Sequence, residues 1–255
     1  MIPVLILAGE RKKKSPLLEK AGVPYKALLP VCGEPMFKRV MAALEGVSGL
    51  GKIYVSAPED LFERLKKLSS KELLFLPQAS SPSLSVFQAL EIIDTYPLFI
   101  TTADHALLTP EIVAYFIHRA AKEEGDLGVG VVSFSLVKAA YPEASRTTYR
   151  LREGRFCSAN LYFISHPEAQ KIFYFWRRIE RHRKNPLKVV LSFGITPFWR
   201  YLAGRLTLRE AFEEISRRIG CRLFPVLLPF ARAAIDVDDE EDLHLAQQIL
   251  HKEKR

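Results

Sequence analysis

The chain has 255 residues and a mass of 29.0 kDa, 48% of them hydrophobic and 26% charged. That balance fits a globular protein with a sizeable core and excludes a disulfide-stapled miniprotein, a collagen-like repeat or a disordered chain. The formal charge of +8 is concentrated in Arg11-Lys12-Lys13-Lys14 and in residues 171–188, which hold seven Lys/Arg against the single acid Glu180; two basic patches on a near-neutral body suit an anionic small molecule, nucleic acid or an anionic membrane surface better than a uniform nucleic-acid coat.

In chain order, Ile2 to Ala8 is an apolar run that opens into a loop at Gly9, the pattern of a buried parallel strand. Because Glu10 and the basic run cut it off, it lacks the order of a signal peptide, and no window reaches the ~18 uninterrupted apolar residues of a membrane span. A cytoplasmic protein is expected. Met36, Val40, Met41 and Leu44 have helical spacing within 35–47, followed by strands at 52–57 and 73–76, helices over 59–68 and 83–95, and a strand at 98–102. Thr109-Pro110-Glu111 starts a helix to about Glu124, and strands follow near 125–135, 146–152 and 157–165. Residues 167–220 read as helical throughout, then strands at 221–228 and 233–237 and a helix at 239–251 close the chain. Strands alternating with helices predict an α/β fold with a mostly parallel sheet covered on both faces. We expect one domain over 1–255 carrying a helical insertion at about 167–220. Cys32, Cys157 and Cys221 are widely separated with no C-x-x-C pair, which fits reduced thiols and no cysteine zinc site.

Several segments could carry chemistry, each with a plainer alternative. The loop after the first strand could turn N–H groups and basic side chains onto phosphates, or be a solvated lysine-rich loop. Neither G-x-x-x-x-G-K-[ST] nor G-x-G-x-x-G is present. Asp104 ends an apolar strand, where a carboxylate would face the ligand crevice as a hard ligand for Mg²⁺ or would simply cap a turn. The acids of Asp236-Val237-Asp238-Asp239-Glu240-Glu241-Asp242 precede a helix whose positive end they could cap. Ser81-Pro82-Ser83-Leu84-Ser85 reads as a capped helix start, and helix N-termini also bind anions. His105 could orient a phosphate or make a structural hydrogen bond.

Leu7-Ala8-Gly9 followed by a basic residue, with Lys26-x-Leu28-Leu29-Pro30-Val31-x-Gly33-x-Pro35-Met36 downstream, resembles the signature of the sugar-phosphate nucleotidyltransferase superfamily, which includes cytidylyltransferases and the MobA-like enzymes. The resemblance covers residues 1–165 and 221–250. It implies a Rossmann-like (GT-A type) fold and Mg²⁺-dependent transfer of NMP from an NTP to a phosphorylated acceptor, with release of pyrophosphate. It places Leu7, Ala8, Gly9 and Arg11 around the nucleotide and Lys26 on its phosphates. Ser83 and Ser85 fall near base and ribose, Asn160 at an acceptor contact, and Asp104 with Asp238 on the metal. Asp236 is expected to alternate to the other face of its strand, and Lys26, taken as a loop lysine without apolar neighbours, to matter little for stability. Glu10 stands where the family often has a second glycine.

The partners implied are an NTP, CTP or GTP, and a phosphorylated small-molecule or lipid-precursor acceptor; nucleic acid is disfavoured. The insertion, where Phe173, Tyr174, Phe175, Trp176 and Ile179 interleave with the arginines Arg177, Arg178, Arg181 and Arg183, is expected to pack its aromatic face on the body. Its basic face could stay solvated, meet the acceptor phosphate as a lid, or touch an anionic membrane. Two other readings stay open: a catalytically altered nucleotide- or RNA-binding protein, and an NDP-sugar glycosyltransferase of related fold, although Asp104-His105-Ala106 lacks the Asp-x-Asp expected of the latter.

Overall fold

A computed structural model describes residues 1–10, 16–179, 185–192 and 194–253, with the backbone alone at 178 and 179. Arg11 and, in the insertion, Arg181, Arg183 and Lys184 lie outside the described residues.

The chain runs β1 (Ile2–Leu7), α1 (Pro16–Ala21), a small hairpin of β2 (Pro30–Val31) and β3 (Glu34–Pro35), then α2 (Met36–Glu45) and β4 (Leu50–Ala57). It continues through α3 (Phe62–Lys66), β5 (Leu73–Pro77), α4 (Pro82–Ala89), β6 (Leu98–Thr102), α5 (Pro110–Ala120) and β7 (Leu127–Ser133). After α6 (Phe134–Ala140) come β8 (Tyr149–Leu151) and the long β9 (Gly154–Ile164), then α7 (Gln170–Ile179), α8 (Pro186–Ser192), α9 (Ile195–Leu202) and α10 (Leu208–Ile219). β10 (Leu223–Leu227) and α11 (Glu240–Glu253) complete the fold.

One sheet has the order β10-β7-β9-β6-β1-β4-β5, with β8 paired to β9. Pairs β6–β1, β1–β4, β4–β5 and β7–β10 are parallel, while β9 runs antiparallel to β6, β7 and β8. Alternation along the central strands fills two layers. Val4, Ile6 and Phe99 pack with α2, α5 and α11, whereas Leu5, Leu98 and Ile100 pack with α4 and α7 on the opposite face. All six are fully buried, and side chains of this size each stabilise the fold by roughly 1.5–3 kcal/mol when removed from water. Burial on both faces is why β1 and β6 read as unbroken apolar runs.

The structure departs from the sequence reading at short elements. Residues 233–237 form no strand; a 3-10 turn over Ala231–Ala234 runs into irregular chain. The helix expected over 83–95 ends at Ala89, and α1, α6 and the β2–β3 hairpin are too short to leave a periodic signal. Among the described residues the insertion holds the four helices α7 to α10; Phe173 is buried and Tyr174 exposed, as expected of an aromatic face turned partly inward.

Candidate active site

From β1 the chain passes to β4 on one side and later returns to β6 on the other. Where the order reverses in this way the loops at the carboxyl ends diverge and leave a crevice. Leu7 is in register with Thr102, and the Ala103 N–H donates to the Leu7 carbonyl at 2.9 Å, so the Gly9 loop and Asp104 leave the sheet side by side.

Asp104 is fixed from two directions. The Thr102 hydroxyl donates to its Oδ1 at 2.5 Å and Lys26 Nζ donates to Oδ2 at 2.8 Å. Its backbone carbonyl accepts the Val237 N–H at 3.1 Å, which holds the segment before α11 against the end of β6. Val237 is fully buried. Its neighbours Asp236 and Asp238 therefore both turn toward the crevice, and one oxygen each of Asp104, Asp236 and Asp238 lie within 4.8 Å of one another. The expectation that Asp236 would face away is corrected on elementary grounds: in extended chain, positions i and i+2 share a face.

Asp236 has its own supports. Asn160, held at φ 52° in the left-handed region that Asn tolerates better than most residues, donates through Nδ2 to Asp236 Oδ2 at 3.0 Å. Arg146 donates to the Asp236 backbone carbonyl at 2.9 Å, lies 3.4 Å from its carboxylate and pairs with Asp242 at 2.7 Å. Asp242 in turn accepts the Asp238 N–H at 3.0 Å. Arg146 is thus the residue that ties both C-terminal acids to the body, and the sequence reading missed it. Nothing in its local sequence marks it, because its partners are some 90 residues away.

The three carboxylates also set one another's charge. Burial and the neighbouring Asp104 push the Asp236 carboxyl up to about 6, against the opposing Arg146. Burial alone would lower the Lys26 pKa, yet Asp104 and Asp238 outweigh it and hold the ammonium well above its ordinary value. Lys26 bridges Asp104 at 2.8 Å and Asp238 at 2.5 Å, while Arg146 lies 3.4 Å from Asp236, so among the described residues two cations meet the three carboxylates. Such a set of hard oxygens fits a divalent cation such as Mg²⁺. The view of Lys26 as a loosely held loop lysine is corrected, since its side chain is only 21% exposed and engaged at both carboxylates.

Gly9, Glu10, Lys26, Gln78 and Ser81 to Ser83, with Ser85, border the same cavity as the three acids. Glu10, in the place of a glycine, accepts the Lys26 N–H at 2.7 Å while its own N–H donates to Gln78 Oε1 at 2.6 Å, so the substitution couples the first loop to Lys26. Gly9 sits tightly beside that contact: a Cβ there would come within 2.9 Å of Gln78 Oε1. Ser81 caps α4 by accepting the Leu84 N–H at 3.3 Å, and Ser85 accepts the Ala79 N–H at 2.9 Å. These contacts turn the start of α4 toward the cavity. Leu7 and Asn160 also line it, whereas Ala8 is buried against Ser56, whose carbonyl accepts its N–H at 2.8 Å. His105 is buried away from it, and burial lowers its pKa to about 4, leaving a neutral ring in the core.

Arg146→Met should therefore act through position rather than through contact with a ligand. Removing one partner of a largely buried ion pair costs ~3–5 kcal/mol, so a thermal midpoint lowered by several degrees is expected; a midpoint equal to wild type would show that the Asp236–Asp242 segment is held by other means.

The chain matches the hypothetical transferase from Thermus thermophilus at 30% identity and a TM-score of 0.79, over 95% of this chain and 99% of that one. CMP:2-keto-3-deoxy-manno-octonic acid synthetase, complexed with CTP, aligns at a TM-score of 0.60 and 14% identity over 99% of this chain and 100% of that one. The 4-diphosphocytidyl-2C-methyl-D-erythritol synthase of Anaerococcus prevotii aligns at 0.59 and 11% over 98% of each; likeness at these last two identities speaks for the fold alone. No curated protein matches. Residues 4–154, which hold the first loop, Lys26 and Asp104, match the model of the MobA-like NTP transferase domain, and the chain accordingly belongs to that family and is a nucleotidyltransferase.

Proposed function

We propose that the protein transfers NMP from an NTP to a phosphorylated acceptor with release of pyrophosphate, and that Mg²⁺ held by Asp104, Asp236 and Asp238 is required. The observation that carries this reading is the convergence of three carboxylates and Lys26 at the switch point of the sheet. Mg²⁺, when bound there, would supply Lewis-acid stabilisation of phosphate charge.

The chain's own residues do the rest by position and charge. The first loop and the start of α4 enclose the nucleotide, with Gly9, Ser83 and Ser85 on the cavity wall. Lys26, on the cavity wall beside Asp104 and Asp238, would offset the charge of the polyphosphate. An acceptor phosphate oxygen attacks the α-phosphorus, the bond to the β-phosphate bridging oxygen breaks and pyrophosphate departs with that electron pair. An acceptor dianion has no proton to lose, so no general base is needed, and catalysis rests on orientation and electrostatics. Asn160 and Arg146 act as positioning residues for Asp236. Arg11 keeps its proposed phosphate role on the sequence resemblance alone.

CTP is the favoured nucleotide, by likeness to a neighbour that binds CTP; GTP is the second candidate. Membership in the family removes the glycosyltransferase alternative. The test is pyrophosphate release from each of the four NTPs with a panel of phosphorylated acceptors. Stoichiometric release that needs acceptor, Mg²⁺ and NTP together supports the reading, and release independent of any acceptor contradicts it.

We also infer peripheral contact with an anionic membrane at the cytoplasmic face. Among the described residues no helix is long and apolar enough to cross a membrane. Yet Leu187, Leu191, Ile195, Trp199 and Leu202 are 46–70% exposed along α8 and α9, with the exposed Lys188 on α8 itself. Apolar side chains next to cations match an interfacial helix pair on anionic lipid. Sedimentation with anionic vesicles, lost when Leu191 and Trp199 are both changed to Ser, is the expected result; equal sedimentation of wild type and variant would remove the contact.

A further inference from the structure

The crevice holding Asp104 does not end at the carboxylates. It continues beneath the insertion as a single cavity of about 1850 Å³, whereas pockets for a drug-sized ligand occupy roughly 300–1,000 Å³. A nucleotide and a small polar acceptor leave much of that space unused.

The far part differs chemically from the near part. Phe173 and Trp176 of α7, Val189 and Val190 of α8, Phe212 of α10 and Leu127 of β7 supply its walls. Four of these six are 8% exposed or less, so this end of the cavity is walled by closely packed apolar side chains. Among the described residues the one charged group that α7 to α10 bring to its wall is Glu214, already paired with Arg217 at 2.6 Å. Leu151, Phe156 and Leu206, which also border it, form an apolar cluster separate from the two layers of the main core. Apolar walls of this kind suit an apolar occupant, and a sugar or other hydroxyl-rich group would find too few hydrogen-bond partners there.

Helices α8 and α9 form the partition. Val189, Val190 and Pro197 face the chamber, while Leu187, Leu191, Ile195 and Trp199 face outward. A helix pair apolar on both sides lies between two apolar phases, as a partition between a bilayer and an enclosed chain site would.

We propose that the acceptor is an amphiphile, the phosphomonoester of a long apolar chain, whose phosphate lies at Asp104 and Lys26 while its chain fills the chamber under α7–α10. This rests on the nucleotidyl-transfer reading for its chemistry but not for its binding. The product would be a nucleoside diphosphate ester of the chain, with one pyrophosphate released per chain joined.

The experiment uses the two tryptophans, Trp176 on the chamber wall and the outward Trp199. In a Trp199→Phe variant, Trp176 reports the chamber alone. Titration with monoalkyl phosphates of six to twelve carbons, below their micellar concentrations, should blue-shift its emission. Affinity should rise about fourfold per methylene until the chamber is full, the equivalent of ~0.8 kcal/mol. Val189→Phe should shorten the chain at which affinity stops rising, and the wild-type length profile stands even if that variant fails to fold. The same series, supplied as acceptors with Mg²⁺ and NTP, gives pyrophosphate release. A Trp176 response without pyrophosphate release would overturn nucleotidyl transfer and leave the chain site. Release with glycerol phosphate or a sugar phosphate, together with affinity independent of chain length, would overturn the chain site and leave the reaction.

Discussion

Asp104→Ala is expected to lower pyrophosphate release by about 10³-fold, ~4 kcal/mol in the barrier, while leaving the protein folded. Asp104 is anchored at the end of β6 by Thr102 and Lys26, so a metal that lost it would keep only two carboxylates on a segment fixed through Val237 and Arg146. Stability should behave in the opposite way. Taking one carboxylate from a group of three within 4.8 Å relieves repulsion, so without divalent ions the midpoint should match or exceed wild type. The rise in midpoint on adding Mg²⁺, expected for a ligand that binds the folded state alone, should disappear. Wild-type turnover in the folded variant would remove the metal role from Asp104.

Lys26→Met should show the reverse pattern. Its ammonium is the described cation that bridges Asp104 and Asp238, and its removal takes that bridge from two of three close carboxylates. Without Mg²⁺ we expect a lowered midpoint, because partly buried carboxylates that lose a bridging cation are costly. Added Mg²⁺ should restore part of the loss by taking the same place. Turnover should fall by about 10²-fold or more even at saturating Mg²⁺, the scale of deleting one preorganised phosphate-stabilising group. A midpoint insensitive both to the substitution and to Mg²⁺ would contradict the shared cation site.

The two variants mark what the sequence could and could not reveal. β1 and β6 were legible because strands buried on both faces are unbroken apolar runs, and with them the loop residues at their carboxyl ends, Gly9 and Asp104. Lys26 was legible through the resemblance of its segment to the nucleotidyltransferase signature. Its bridging geometry was not, since that depends on Asp238, 212 residues away. Asp236 was misplaced by a periodicity argument applied with the wrong parity, on a segment that is no strand at all. Arg146 stayed hidden because an arginine between two strands carries no local pattern, and only folding brings it to Asp236 and Asp242. The helical character of 167–220 was plain from its periodicity. The chamber beneath it was not, because side chains such as Val189 and Leu191 are equally apolar in sequence and differ only in which way they turn.

The most direct measurement follows an NTP labelled with ³²P at the α-phosphate, incubated with Mg²⁺ and a phosphorylated acceptor, to see where the label goes. The account predicts one labelled NMP joined to the acceptor phosphate for each pyrophosphate released, with both products absent in Asp104→Ala. Label found only in free NMP, or a γ-phosphate released as inorganic phosphate with the acceptor unmodified, would contradict it.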